Sequence, residues 1–176
     1  MLYEVHGPLK LPRNRNRLLP PQKKQLNKFW DTVDTQHPGL AEACGCYLFG
    51  IRAGRGLRIW YVGQANRQSF RHECLTLSKI ALYNDAIASR TGTPVIFLVA
   101  RRTRSDRAYS KPSRRGFRDI AFLEDYFIGA ALVRNDQLLN QKGTKLFKEI
   151  VVPGFLNPPQ GPSGNAAVSL RRALRL

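Results

Sequence analysis

Apolar residues recur at helical spacing in three stretches of the chain and form three short runs typical of buried strands. The first helical stretch begins after Pro20 and ends before Pro38, which predicts a short helix packed on the main body. Its apolar members follow at i, i+3, i+4 and i+7: Leu26, Phe29, Trp30 and Val33. Two longer helices are predicted over residues 69 to about 90 and 117 to about 133. The apolar stripe of the former includes Phe70, Cys74, Leu77 and Ala81.

Three runs suited to burial predict strands over residues 45–51, 57–62 and 93–100. The first two are joined by five residues that include two glycines, which favours a hairpin. Pro94 stands at the entrance of the third strand, where a missing backbone donor does least harm. Helices and strands share one short chain, so the pattern predicts a mixed α/β (α+β) fold.

Both ends of the chain lack this periodicity. Residues 1–19 hold Pro8 and Pro12 followed by a basic run, and we predict an extended or loosely docked arm. The last 24 residues carry four prolines and three glycines before a short basic stretch. The predicted divisions are a basic arm with a short helix (1–40), a folded core (41–152) and a Pro/Gly-rich basic tail (153–176).

The composition of the chain limits the class of molecule that it is expected to bind. A chain of 176 residues suits one compact domain with extensions. Its 29 Lys and Arg residues against 12 Asp and Glu leave a formal net charge of +17, which favours nucleic acid or another polyanion as partner. No apolar run approaches the roughly 20 residues that span a membrane, and the first residues lack the layout of a signal peptide, so we expect a cytoplasmic protein. Three cysteines without a Cys-x-x-Cys pair predict small buried residues rather than disulfides or a zinc site.

The predicted hairpin carries two tyrosines on one face. Pairing about Gly54 sets Tyr47 opposite Tyr61, and pairing about Arg55 sets Tyr47 opposite Gly63; both leave the phenols on the same side. Only a loop of even length would separate them. Two phenols beside a glycine would make a plausible catalytic surface, although cross-strand aromatic pairs usually just stabilise a sheet.

Two charged residues stand close to apolar stripes. Arg71 lies near the start of a predicted helix, where its guanidinium suits phosphate, unless it is a solvated side chain at the edge of that face. Glu124 lies three or four positions from apolar residues on both sides, so at helical spacing it falls within an apolar stripe. A carboxylate facing a core must be paired, protonated or bound to a cation, which an arginine or a metal could supply. Asp125 takes its place if the helix is rotated by one residue.

Residues 101–116, which we call the basic loop, are rich in arginine. Between residues 101 and 120 eight cations face two acids, and such a run repels itself unless a polyanion binds it. We predict contacts to the nucleic-acid backbone from Arg102, Arg104, Arg107, Lys111, Arg114 and Arg115.

Five features in fixed order resemble the GIY-YIG nuclease superfamily. They are Gly45-Cys46-Tyr47, Tyr61-Val62-Gly63, Arg71, Glu124 and Leu138-Leu139-Asn140. The resemblance covers about residues 45–142 and implies a small mixed sheet flanked by helices. Gln64 stands where many members carry a lysine, and Leu75 where many carry Tyr or His.

The resemblance also implies roles for five side chains. Tyr47 would be the base that activates the attacking hydroxyl, and Tyr61 would hold the water or phosphate. Arg71 would stabilise charge on the phosphorus oxygens, Glu124 would anchor one Mg²⁺ or Mn²⁺ ion, and Asn140 would fix the site from beneath.

These features together predict a metal-dependent endonuclease that hydrolyses DNA, most readily duplex DNA, without a small-molecule cofactor. A homodimer would supply the two sites that cutting both strands needs. The alternative is a nuclease-like module that binds DNA or RNA without cutting it.

Overall fold

The computed structural model describes residues 1–54, 56–105, 107–140, 144, 149–150 and 164–174. Its centre is a four-stranded sheet in the order β1-β4-β2-β3, and every pair of neighbouring strands is antiparallel. The strands are β1 (Leu2–Lys10), β2 (Gly45–Ala53), β3 (Gly56–Ala65) and β4 (Thr93–Arg102). The helices are α1 (Lys23–Gln36), α2 (Phe70–Glu73), α3 (Leu77–Ala88), α4 (Arg118–Arg134) and α5 (Asn165–Leu174). The predicted mixed α/β fold is confirmed, with a sheet that is antiparallel throughout.

The chain forms two compact units, Met1–Leu139 and Asn140–Leu176. The first contains the whole sheet and helices α1 to α4. The second contains α5, and in it the hydroxyl of Thr144 donates to the main-chain oxygen of Asn140 at 2.8 Å. The predicted boundary at residue 153 lies outside the described residues.

The hairpin of β2 and β3 has the register in which Tyr47 lies opposite Gly63. At its tip Ala53 pairs with Gly56, which leaves a link of even length, the case expected to separate the two tyrosines. A bulge shifts the register between Phe49 and Gly50 and restores the alternation. Tyr61 therefore pairs with Phe49, and the prediction that both phenols share one sheet face is confirmed.

Each face of the sheet packs a separate apolar cluster. On one face, Tyr47 and Phe49 of β2 join side chains from α1 and α3, among them Trp30 and Tyr83. On the other face, Cys46 and Val99 meet Ile120 of α4. Neighbouring residues of one strand point to opposite faces, so Cys46 faces α4 while Tyr47 faces α1 and α3.

The N-terminal segment is part of the sheet: of the two alternatives predicted for it, an extended or a loosely docked arm, residues Leu2–Lys10 take the extended one as strand β1. Strand β1 pairs with β4 along its length, with an irregularity between His6 and Leu9 that accommodates Pro8 at the sheet edge. Beyond the strand, Leu11 and Leu19 are buried. The Asn84 amide on α3 accepts from the Leu19 N–H at 2.7 Å and donates to its carbonyl at 3.1 Å, which fixes this segment to the core.

The single helix predicted over residues 69–90 is two helices, and part of its predicted stripe is wrong. Thr76 caps α3, its hydroxyl accepting from the Lys79 N–H at 3.4 Å, and the chain between α2 and α3 resets the helical phase. Leu77 and Ala81 consequently face solvent. The buried residues of α3 are Ile80, Tyr83, Ala86 and Ile87.

Helix α1 and the three cysteines agree with the predictions made from the sequence. The apolar stripe of α1 is confirmed, with Leu26, Trp30 and Val33 buried and Phe29 packed against the same cluster. All three cysteines are free and buried, as predicted. Among the described helices, we find none that combines the length and the apolar character needed to cross a bilayer.

Gly63 is required by the ring of Tyr47. A Cβ added at residue 63 would lie 2.5 Å from the Tyr47 hydroxyl oxygen, far inside van der Waals contact. We expect Gly63→Ala to lower the free energy of unfolding by about 1–3 kcal/mol, the usual cost of overpacking a core. Urea denaturation followed by circular dichroism measures this change. Gly56→Ala is the matched control, since its Cβ would have 3.6 Å to the nearest atom, and equal losses for the two variants would contradict the assignment.

Candidate functional site

Tyr47 and Tyr61 lie together on the α3 side of the sheet. Their ring centroids are 6.1 Å apart, and Tyr83 lies 5.8 Å from Tyr61. Tyr47 is 1% exposed, and burial, reinforced by the neighbouring Tyr83 phenol, raises its pKa far above the ordinary value. A general base works best when its pKa lies near the operating pH, so this phenol is poorly suited to remove a proton. Tyr61 is only partly buried and is the accessible member of the pair.

Tyr83 adds a third phenol that sequence analysis did not single out. It is fully buried and stacks on Phe49 with 4.1 Å between ring centroids. Its hydroxyl makes no hydrogen bond of good geometry among the described residues, although the Tyr47 phenol is close enough to interact with it electrostatically. Burial raises its pKa as well, so Tyr83 acts as a core residue.

Lys79 is a second residue that sequence analysis missed. Its ammonium group donates a hydrogen bond to the Tyr61 hydroxyl and lies 4.3 Å from the centroid of that ring. The residue follows Tyr61 by 18 positions and sits on α3, whose phase no apolar stripe revealed. The accessible phenol is therefore bound to a cation rather than to a carboxylate.

Arg71 is held by three carboxylates. Its Nη2 lies 3.2 Å from Asp31 and 3.3 Å from Asp34, both on α1, and its Nε lies 3.0 Å from Glu42. These contacts tie α2 to α1 and to the loop that follows it. The interpretation of Arg71 as a phosphate ligand does not agree with this arrangement, because three anionic partners already surround the guanidinium.

Glu124 lies on the opposite face of the sheet from both tyrosines. Gln64 pairs with Cys46, so its side chain points to the α4 side, where its Nε2 donates to Glu124 Oε2 at 2.7 Å. Asn66 donates to the Gln64 oxygen at 2.9 Å and also to the Phe117 carbonyl at 3.0 Å. Gln64 is thus one partner of this part-buried carboxylate, and the chain of hydrogen bonds continues through Asn66 into the start of α4.

The five predicted catalytic side chains do not come together at one point. Tyr47 and Tyr61 lie together, and Arg71 is paired with three acids. Glu124 lies on the other face of the sheet from the two tyrosines. Asn140 belongs to the second unit and is described with it. In the described part of the chain, no three His, Cys, Asp or Glu side chains are grouped closely enough to hold a metal ion.

The basic loop is well anchored although its tip is exposed. The Ser110 N–H donates to the Arg101 carbonyl at 2.8 Å, and the Thr103 N–H donates to the Ala108 carbonyl at 2.9 Å. Farther along, the Ser113 N–H donates to the Asn66 carbonyl at 3.4 Å. The loop therefore lies at the end of the sheet where β3 finishes, beside the Glu124 network.

Strand β4 extends to Arg102, two residues into the stretch predicted as the basic loop, and the cations of residues 101–116 fall into two groups. Arg101 pairs with Asp119 at 2.9 Å, and Arg102 pairs with Glu4 while donating to the Arg107 carbonyl at 2.7 Å. The other group is exposed and has no acidic partner among the described residues. It consists of Arg104, Arg107, Lys111, Arg114 and Arg115. Arg102 was predicted to touch nucleic acid, but its ion pair with Glu4 makes it an anchor of the loop.

The Asp119 carboxylate, on helix α4, accepts hydrogen bonds from strands β1 and β4. Burial on its own would raise the pKa of this carboxyl, but hydrogen bonds from Arg101 at 2.9 Å and Tyr3 at 2.8 Å outweigh burial and lower it. Conversely, burial and the bond to Asp119 raise the pKa of the Tyr3 phenol. Strand β1, strand β4 and helix α4 are joined at this one carboxylate.

Comparisons with known proteins found no match to this chain. The chain matches no protein-family model, no curated protein and no solved structure.

Acid should remove the contribution of Asp119 to stability. A carboxyl whose pKa is lowered by folding stabilises the native state above its unfolded pKa of about 3.9, and the contribution disappears as pH falls through the folded pKa. We expect Asp119→Asn to cost about 1–3 kcal/mol at pH 7 and progressively less below pH 4. Urea denaturation from pH 7 to pH 3 measures the difference between the two proteins.

Tyr3→Phe is the control for this prediction, because it removes one donor to Asp119 and keeps the ring. It should reduce the pH dependence without abolishing it. A difference between wild type and Asp119→Asn that stays constant down to pH 3 would contradict the role given to the carboxylate.

Proposed function

We propose that the protein binds nucleic acid, with duplex DNA as the first candidate, through the exposed cations of the basic loop. The observation that carries this proposal is the division of the loop's arginines into anchors and exposed groups. Arg101 and Arg102 are used to fix the loop to the sheet, while five further cations project from it. Cations fixed in place lose less freedom on binding than cations on a flexible tail.

The charge of the chain supports the same conclusion. A net charge of +17 exceeds what solubility requires, and each cation that meets a phosphate releases condensed counterions. Such contacts bind any sequence, because phosphates carry no base identity. We therefore expect salt-sensitive binding with little dependence on sequence.

We propose metal-dependent phosphodiester hydrolysis as a second candidate, favoured by the position of Glu124. Its carboxylate lies beside the basic loop, linked to it through Gln64 and Asn66. Magnesium is commonly held by one or two carboxylates together with water and substrate phosphates. Glu124 alone could therefore supply the carboxylate ligand of such an ion. The ion would polarise a phosphate bound by the neighbouring arginines.

The direct test of binding is a triple substitution in the basic loop. We expect Arg104→Gln, Arg107→Gln and Arg114→Gln together to weaken binding to a mixed-sequence duplex at least about tenfold at 0.1 M salt. The slope of log K against log salt should fall by about 2–3, because up to three phosphate contacts are lost. Fluorescence anisotropy over a series of salt concentrations gives both quantities.

A matched control removes the same charge elsewhere. Lys23→Gln, Lys24→Gln and Lys28→Gln on α1 also remove three positive charges, which lowers the net charge from +17 to +14, and all three side chains are exposed. If both triple variants weaken binding equally, the basic loop has no special role. Stronger binding to structured RNA than to duplex DNA in competition would change the substrate class.

Hydrolysis has its own test. The second candidate predicts nicking of supercoiled plasmid in the presence of Mg²⁺ or Mn²⁺, abolished by Glu124→Gln with DNA binding retained. Asp125→Asn, one residue along and exposed, is the control that should keep the activity. Nicking that persists in Glu124→Gln would exclude Glu124 as the metal ligand, and no nicking by wild type with either ion would leave binding as the function.

A further inference from the structure

Lys79 has an unusual environment for a lysine. It is partly buried, its ammonium donates to the Tyr61 hydroxyl, and it lies against the face of the same ring. Within the described residues no carboxylate lies within 4 Å of this ammonium group. Taking part of an ammonium group out of water is costly unless other polar groups replace the lost hydration.

Partly buried cations elsewhere in the described chain have two kinds of partner: Arg13 and Arg90 donate to main-chain carbonyls, and three other arginines pair with acids. Arg71, Arg101 and Arg102 each pair with at least one carboxylate. Lys79 has a neutral phenol instead. An ammonium group has three N–H donors, and the phenol accepts only one of them.

The position of Lys79 on its helix is also unfavourable. It is the third residue of α3, and the first turn of this helix contains no acidic residue. The partial positive charge at the start of a helix disfavours a cation there. The contact with the Tyr61 ring is a weak attraction at an accessible site, so stability alone gives little reason for a lysine here.

An oxyanion would satisfy the ammonium and the phenol together. The two groups are already hydrogen-bonded, and both are accessible. Tyr61 stands four residues before Ala65, so along β3 it is about 13 Å from the end of the strand, near which Asn66 meets the basic loop. That distance is about the axial rise of four base pairs, and one duplex can therefore reach both places.

We propose that Lys79 and the Tyr61 hydroxyl bind one backbone phosphate of the nucleic acid, as a contact separate from the basic loop. This inference rests on the proposed nucleic-acid binding and adds Lys79 to the residues that carry it. Lys79 supplies the charge, and Tyr61 supplies a hydroxyl donor and keeps the ammonium in place.

The experiment measures the affinity of a 20-base-pair mixed-sequence duplex for four variants across salt concentrations. Lys79→Gln should weaken binding about three- to tenfold at 0.1 M salt and lower the salt slope by about one, as expected for one lost phosphate contact. Lys79→Arg should keep the slope of wild type. Tyr61→Phe should weaken binding by a few-fold with the slope unchanged, because the lost hydroxyl is uncharged.

Lys28→Gln is the matched control for charge, since Lys28 is an exposed lysine on α1. If Lys79→Gln has no more effect than Lys28→Gln on a wild type that binds DNA, this inference fails while the proposed function stands. A wild type that binds neither DNA nor RNA ends both. Thermal unfolding of each variant shows whether it is still folded. If Lys79→Gln is unfolded, the test rests on Tyr61→Phe: an affinity for DNA equal to that of wild type would overturn the proposed phosphate contact.

Discussion

The pairing of β2 with both of its neighbours is the constraint on which the rest of the molecule depends. β2 is bonded to β3 on one side and to β4 on the other, so its register fixes which side chains face each helical layer. The bulge near Gly50 adds one residue to β3 and turns Tyr61 to the same face as Tyr47. Without that residue Tyr61 would face α4, away from Lys79, since a shift of one position exchanges the faces of a strand.

Ion pairs connect neighbouring elements of the fold. Three partly buried arginines are bound to acids that join separate elements: Asp31 and Asp34 for Arg71, Asp119 for Arg101 and Glu4 for Arg102. Acids are few in this chain, 12 against 29 cations, and these pairs take several of them. Exposed cations beyond them have no acidic partner among the described residues, and a polyanion is the partner that would relieve their mutual repulsion.

Local pattern was enough to predict the central elements, and it failed where distant contacts determine the structure. Strands β2, β3 and β4 and helix α4 were found because apolar runs and turn glycines are local signals. Strand β1 was missed because Pro8 and the absence of an apolar run hide an edge strand that exists only through pairing with β4. The phase of α3 was missed because the break before Thr76 has no proline or glycine to mark it.

The same distinction separates what could and could not be known about the site. Alternation within one hairpin was sufficient to place Tyr47 and Tyr61 together, since both residues lie on the same pair of strands. The side of the sheet on which α4 packs is set by its contacts with Cys46 and Val99, and spacing along the chain does not reveal it. Glu124 is consequently separated from the phenols by a sheet, and layers packed on a sheet stand about 10 Å from it. If the protein binds nucleic acid as proposed, a phosphate bound by Tyr61 and Lys79 and a phosphate beside Glu124 would therefore be different phosphates, because the sheet separates the two places.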